Sequence, residues 1–143
     1  VVDASNGELD ARVVGGRDGR ATTPDGILDV PLRRAALAKP GEGTTPEALF
    51  AATYAACFSG ALGRVRREMG LPTVELDATC RVAVQSETEG VFDVVVALDM
   101  TIPDTTPADA VEQVRAAHII CPYSRAVRGN VPVTLTANGL PVD

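Results

Sequence analysis

Two segments in the second half of the chain alternate apolar and polar residues with a period of two. The apolar positions are Val74, Leu76, Ala78, Cys80, Val82 and Val84 in the first segment, and Phe92, Val94, Val96, Leu98 and Met100 in the second. This period is typical of half-buried β-strands, because successive side chains point to opposite faces of a sheet. We therefore predict two long strands, each with one face on a core.

The first 32 residues predict three shorter strands. A strand at 11–14 is followed by GGRDG (Gly15–Gly19), whose glycines and aspartate are typical of a hairpin turn. Arg17 would then lie at the tip of this turn. The chain returns through 20–23, and a further strand is predicted at 27–32.

The strongest helix signal lies between residues 45 and 70. Thr45 is a good N-cap, Pro46 suits the first helical position, and Gly70 stands where a C-terminal glycine belongs. These signals predict a helix from Pro46 to about Met69. Its middle is rich in small residues, which predicts close approach of another backbone and a buried central helix: Ala51, Ala52, Ala55, Ala56, Ser59, Gly60, Ala61 and Gly63.

A second helix is predicted from Pro107 to about Ile120, with Thr106 as its N-cap and Asp109 three residues after the cap. The last strand is predicted at 131–137, where Pro132 favours an edge position because proline cannot donate a ladder hydrogen bond. The order β-β-β-α-β-β-α-β is an α+β plan. We expect one domain over residues 1–143.

Composition and charge exclude several kinds of partner. The formal net charge is −6 and the pI is near 4.7, and no cluster of basic residues accompanies a nucleic-acid-binding motif. We also find no signal peptide and no run of 18 or more apolar residues. The sequence therefore predicts a soluble, cytoplasmic protein that binds neither nucleic acid nor membranes. Only three cysteines are present, which disfavours a disulfide framework.

Cys57 lies in the middle of the first predicted helix and Cys121 at the end of the second. Two alternatives are open for such residues: reactive thiols, or small buried hydrophobic side chains. Cys80 falls on the apolar face of a strand, and we interpret it as part of the core. His118 lies one turn before Cys121, where a structural role is favoured over a role in tuning the thiol.

Three separated segments of the chain resemble motifs of the organic hydroperoxide resistance (Ohr) proteins of the OsmC/Ohr family. They are GTTPEALFAATYAACF (Gly43–Phe58), CPYSRAVRGN (Cys121–Asn130) and GGRDGR (Gly15–Arg20). They occur in the same order as in the family, and the resemblance extends from about residue 12 to residue 136. Thr53, one helical turn before Cys57, replaces a glycine that is usual in the family.

The resemblance implies an intertwined homodimer with an OsmC/Ohr-like α+β fold, in which antiparallel-rich sheets pack around two central helices. It implies a peroxidatic cysteine at Cys57, a resolving cysteine at Cys121, and an arginine and glutamate at Arg17 and Glu47. The implied substrate is an organic hydroperoxide, and the implied reductant is a lipoyl-type dithiol. We expect no cofactor and no metal.

The chemistry of these residue types agrees with the implied roles. A thiolate attacks a peroxide oxygen, but Cys57 is too far from the start of its helix for the dipole to lower its pKa. Arg17 is permanently charged and could stabilise the thiolate, and Glu47 could hold the guanidinium at two points. Attack would leave a sulfenic acid on Cys57, with which Cys121 could condense.

Other functions are compatible with parts of the pattern. The chain could be a peroxidase of the OsmC branch with broader specificity, or a non-catalytic carrier of apolar small molecules. A zinc site is disfavoured because the cysteines and His118 lack the short paired spacings of structural zinc sites. Reaction of two thiols per chain with one equivalent of hydroperoxide would separate an enzyme from a carrier.

Overall fold

The structure is a computed structural model that describes residues 9–37 and 39–143. The chain divides into two compact units, residues 1–49 and residues 50–143. The α+β class predicted from the sequence is confirmed. The prediction of a single domain stays a prediction.

The first unit contains a three-stranded antiparallel sheet in the order β1-β2-β3. Its strands are β1 (Arg12–Val14), β2 (Arg20–Thr22) and β3 (Asp29–Pro31). All three lie where the sequence predicts them. The turn between β1 and β2 requires glycine, because Gly15 has a φ of 86° and a Cβ atom on Gly19 would lie 1.8 Å from the Val14 carbonyl oxygen.

Helix α1 (Pro46–Glu68) begins at the predicted residue and ends one residue before the predicted end. The Thr45 hydroxyl accepts a hydrogen bond from the backbone N–H of Ala48 at 3.0 Å, which confirms the predicted N-cap. At the other end, Gly70 has a φ of 70°, and its N–H donates to the Arg67 carbonyl. The cap and the glycine therefore set the two ends of the helix.

One face of α1 is buried in the second unit. Its buried residues are Tyr54, Phe58, Leu62, Val65 and Arg66, whose spacing is that of a single helical face. Burial of a side chain such as Phe58 contributes about 1.5–3 kcal/mol. Ala52, Ala56 and Gly60 are exposed. The predicted buried central helix is thus buried along one face in the single chain, and its small residues at these three positions are exposed.

The second unit contains a four-stranded sheet in the order β4-β5-β6-β7. Its strands are β4 (Asp77–Gln85), β5 (Asp93–Thr101), β6 (Val133–Ala137) and β7 (Leu140–Val142). β5 pairs antiparallel with β4 and parallel with β6. Helices α1, α2 (Pro107–Ile120) and α3 (Pro122–Val127) complete this unit and its core.

The prediction that Pro132 marks an edge strand is wrong. β6 pairs with β5 on one side and with β7 on the other, so it is an interior strand. Pro132 precedes the first residue of β6, and its carbonyl accepts a hydrogen bond from the N–H of Val96 at 3.0 Å. The missing proline N–H is tolerated because Pro132 lies outside the strand.

Helix α1 is long and apolar enough, by length and composition alone, to cross a membrane. The prediction that no such stretch exists is therefore wrong on this criterion. Core helices of soluble proteins have the same length and composition, and Tyr54, Phe58 and Leu62 of α1 pack in the core of the second unit. The criterion is thus weak evidence for a membrane span.

Candidate active site

The structure brings Cys57 and Cys121 together, although 64 positions separate them in the sequence. Their sulfur atoms lie 4.0 Å apart within the second unit. Both thiols are free; Cys121 is fully buried and Cys57 is half-buried. Two thiols at this distance can form a disulfide after a small movement of either side chain.

The position of Cys121 follows from the proline after it. Cys121 is both the C-cap of α2 and the N-cap of α3, with a ψ of 124° that breaks the helical path. Pro122 disfavours a helical conformation in the residue before it and suits the first position of a new helix. The chain therefore bends at Cys121.

Burial raises the pKa of the Cys57 thiol, and the neighbouring Cys121 raises this pKa further. A hydrogen bond from the backbone N–H of Tyr123 opposes both effects and favours the thiolate. None of the groups in residues 50–143 that shift this pKa is a cation. The second unit alone therefore holds Cys57 mainly as a thiol at neutral pH.

In the first unit, Arg17 and Glu47 form an ion pair between Nη2 and Oε1. Arg17 is half exposed, whereas Glu47 is mostly buried. The expectation that both carboxylate oxygens of Glu47 bind the Arg17 guanidinium is wrong. Glu47 Oε2 is buried and has no hydrogen-bond partner among the described residues. A buried carboxylate oxygen without a donor can accept a further hydrogen bond.

The turn that carries Arg17 is held to the rest of the first unit by its neighbour Asp18. The carboxylate of Asp18 pairs with the Arg34 side chain at 2.6 Å and accepts from the Arg34 backbone N–H at 3.1 Å. The Arg33 guanidinium donates to the Asp18 carbonyl at 3.3 Å. These contacts restrict the movement of the turn that carries Arg17.

His118 is hydrogen-bonded rather than free. Its Nδ1 lies 2.9 Å from the Ser124 hydroxyl, which in turn lies 2.9 Å from the Tyr54 hydroxyl. Burial lowers the pKa of His118, and the positive charge of Arg128 lowers it further. The imidazole is therefore neutral at physiological pH. The sequence gives no signal for Tyr54 or Ser124, because no local pattern connects residues so distant in the chain.

Two further residues have local roles. Cys80 is half-buried on β4, packs against the core, and has a pKa raised by burial. Thr53 is exposed, and its hydroxyl donates to the Phe50 carbonyl in its own helix at 2.9 Å. Among residues 9–37 and 39–143 there is no group of three or more histidine, cysteine, aspartate or glutamate side chains that could hold a metal ion.

Comparison with known proteins identifies the family of this chain and agrees with its fold. The family described as OsmC-like protein matches residues 39–136, so the chain belongs to the OsmC family. The organic hydroperoxide resistance protein OhrB of Bacillus subtilis is 44% identical over 125 residues, covering 85% of this chain and 90% of the relative. The resemblance to the Ohr branch is thereby confirmed.

Two other comparisons give the same result. An organic hydroperoxide resistance protein of Xanthomonas axonopodis pv. citri is 42% identical over 131 residues, covering 88% of this chain and 90% of the relative. The crystal structure of Bacillus subtilis OhrB superposes with a TM-score of 0.84 at 40% identity and covers 90% of this chain and 96% of that one. Both relatives are similar along nearly their whole length.

Proposed function

We propose that this protein confers organic hydroperoxide resistance as a thiol-dependent peroxidase that reduces organic hydroperoxides to alcohols. The observation that carries the proposal is the pair of free thiols, Cys57 and Cys121, 4.0 Å apart on different helices. The relatives named above support the substrate class. A carrier of apolar molecules would not require two adjacent thiols.

In the first step, the Cys57 thiolate attacks the terminal oxygen of the hydroperoxide. The O–O bond breaks, the alkoxide takes a proton and leaves as an alcohol, and Cys57 becomes a sulfenic acid. Cys57 suits this role because it is half-buried and so can be reached, whereas Cys121 is fully buried. The N–H of Tyr123, which favours the thiolate, is directed at this sulfur.

In the second step, the sulfur of Cys121 attacks the sulfur of Cys57. The S–O bond breaks, an S–S bond forms, and the thiol proton leaves with the hydroxyl as water. An external dithiol must then reduce the disulfide by two exchange steps. We propose a lipoyl-type dithiol, because two linked thiols resolve their own mixed disulfide without a second reductant molecule.

The peroxide is proposed to be an alkyl or lipid hydroperoxide. The test is steady-state consumption of cumene hydroperoxide and of hydrogen peroxide, each with dihydrolipoamide as the reductant. Because apolar side chains surround Cys57 in α1, we expect cumene hydroperoxide to react faster. Faster reaction of hydrogen peroxide would contradict the substrate class, and no consumption of either would favour the carrier.

Arg17 is proposed as the cation that stabilises the Cys57 thiolate, with Glu47 orienting it. Within residues 50–143, burial raises the pKa of Cys57 and no cation lowers it. Arg17→Ala should therefore raise this pKa further and move the pH profile of Cys57 alkylation to higher pH, with slower attack at neutral pH. Arg20→Ala is the matched control, because Arg20 pairs with Asp29 in the same sheet. An unchanged alkylation profile in Arg17→Ala would contradict the role.

We further propose that the protein is a homodimer in which Arg17 and Glu47 of one subunit serve Cys57 of the other. Cys57 follows Glu47 by ten residues in α1, which separates their backbones by about 15 Å along the helix axis. Neither side chain spans that distance easily. The exposed small residues of α1, including Ala52, Ala56 and Gly60, would allow a second subunit to approach closely.

Mixing the inactive variant Cys57→Ser with the slow variant Arg17→Ala tests this arrangement. Cys57→Ser and Arg17→Ala are unfolded, refolded together, and assayed for peroxide consumption. Random pairing gives about half heterodimers, each with one intact composite site, so about a quarter of the wild-type activity should return. If heterodimers form and the activity stays at that of the Arg17→Ala protein in the mixture, each site lies within one chain.

A further inference from the structure

Three side chains that the proposed mechanism does not use, two of them completely buried, form a chain of hydrogen bonds. The Tyr54 hydroxyl lies 2.9 Å from the Ser124 hydroxyl, and the Ser124 hydroxyl lies 2.9 Å from Nδ1 of His118. Tyr54 and Ser124 are completely buried. Because water cannot reach these hydroxyls, each depends on its protein partner.

The residues of this hydrogen-bonded chain lie close in sequence to the two cysteines. Tyr54 precedes Cys57 by three residues in α1, which is the spacing of neighbours on one helical face. His118 and Ser124 lie three residues before and after Cys121, in α2 and α3. The hydrogen-bonded chain and the pair of sulfur atoms therefore join the same parts of the fold, which are the middle of α1 and the bend between α2 and α3.

Ser124 takes part in both hydrogen bonds, so the link between Tyr54 and His118 depends on its hydroxyl. The Ser124 hydroxyl is hydrogen-bonded to Nδ1 of His118 on one side and to the Tyr54 hydroxyl on the other, and a hydroxyl can donate and accept at the same time. Two further contacts involve His118: Arg128 donates to its backbone carbonyl at 2.7 Å, and the centroid of the Phe58 ring lies 6.4 Å from that of the imidazole. Removal of the Ser124 hydroxyl would break both hydrogen bonds at once.

Disulfide formation depends more strictly on the relative positions of the two sulfur atoms than peroxide attack does. Peroxide attack needs an accessible Cys57 thiolate but no fixed distance between Cys57 and Cys121, because the small substrate can adjust its position. Disulfide formation requires the two sulfur atoms to close from 4.0 Å to about 2 Å, with a narrow range of Cβ positions. A small displacement of the bend at Cys121 would therefore slow condensation more than attack.

We propose that Ser124 is a positioning residue for the second step, which holds Cys121 within reach of the Cys57 sulfenic acid through Tyr54 and His118. The inference rests on the proposed function, because it presumes that Cys121 attacks the Cys57 sulfur and releases water. It assigns the reacting groups and the groups that position them to different residues. The cysteines react, and the hydrogen-bonded chain controls how long the sulfenic acid survives.

The test separates the two steps in Ser124→Ala. Reduced protein is mixed with one equivalent of tert-butyl hydroperoxide, peroxide loss reports the first step, and mass spectrometry follows the disulfide and the dimedone-trapped sulfenic acid. We expect peroxide loss to change by less than about twofold and disulfide formation to slow by about tenfold, the order expected when a buried hydrogen bond is lost. Excess peroxide should then convert more Cys57 to sulfinic acid than in the wild type.

Two variants serve as controls. Ser59→Ala removes a hydroxyl from α1 two residues after Cys57, but that hydroxyl only bonds the Ala55 carbonyl of its own helix at 2.9 Å, so both rates should stay near the wild type. Tyr54→Phe breaks one of the two hydrogen bonds while retaining the ring, and we expect it to slow the second step alone. It provides the test if Ser124→Ala does not fold.

Three outcomes would overturn the inference: equal slowing of both steps in the test variant, no change in either step, or the same slowing in Ser59→Ala. Failure of the proposed function is a different result, because the wild-type protein would then consume no peroxide or form no Cys57–Cys121 disulfide.

Discussion

Cys57→Ser is expected to reduce peroxide consumption to the background rate measured without protein. A serine hydroxyl is almost wholly protonated at neutral pH and is a far poorer nucleophile than a thiolate, and Cys121 is too deeply buried to replace Cys57. The measurement is the initial rate of cumene hydroperoxide loss with dithiothreitol as reductant. Cys57 is half-buried, so the substitution should leave the fold intact.

Cys80→Ser is the matched control for that experiment. Cys80 is also half-buried, and its pKa is also raised by burial, but it lies on β4 and packs against the core. The same chemical change there should leave the rate within about twofold of the wild type, as expected for a thiol that only packs. Retained turnover in Cys57→Ser, or loss of turnover in a folded Cys80→Ser, would contradict the assignment of the nucleophile.

Cys121→Ser should consume about one equivalent of hydroperoxide per chain and then stop turning over. The first step needs only the Cys57 thiolate, but the sulfenic acid then has no thiol beside it. Mass spectrometry should find Cys57 with one added oxygen after a single equivalent and with two after an excess. Normal steady-state turnover of this variant with a dithiol would show that Cys121 does not resolve the sulfenic acid.

The two long helices could be predicted with accurate ends because their signals are local. Thr45 and Thr106 cap their own helices through hydrogen bonds to N–H groups three residues later, and Gly70 has the positive φ that glycine favours. The long strands were also predicted, but β4 begins at Asp77 rather than near Val74. Asp77 pairs with Thr101, the last residue of β5, so the preceding residues have no partner strand.

Other elements depended on contacts that sequence patterns do not contain. β6 is interior only because β7 pairs with it, and β7 has just three residues. Its turn, Asn138–Gly139, has positive φ at both residues and is a typical hairpin signal, so this strand could have been found. Helix α3, with six residues, is too short for a periodic pattern to identify.

In the candidate site, too, the local motifs could be predicted and the tertiary contacts could not. The sequence motifs predicted four site residues: Arg17, Glu47, Cys57 and Cys121. In the structure, the arginine pairs with the glutamate, and the two cysteines lie together. The 4.0 Å separation of the sulfur atoms and the buried contacts of Ser124 arise from packing between helices. Such packing joins residues 64 or 70 positions apart, beyond the reach of local periodicity.

The central claim is that one organic hydroperoxide oxidises Cys57 and Cys121 to a disulfide within one chain. The most direct test treats fully reduced protein with one equivalent of cumene hydroperoxide and maps non-reduced tryptic peptides by mass spectrometry. Cleavage after arginine places the three cysteines on separate peptides, 35–64, 68–81 and 116–125. The account predicts that 35–64 and 116–125 become linked, with two thiols lost per chain and Cys80 still free. Three free thiols after the reaction, or a disulfide that contains Cys80, would contradict it.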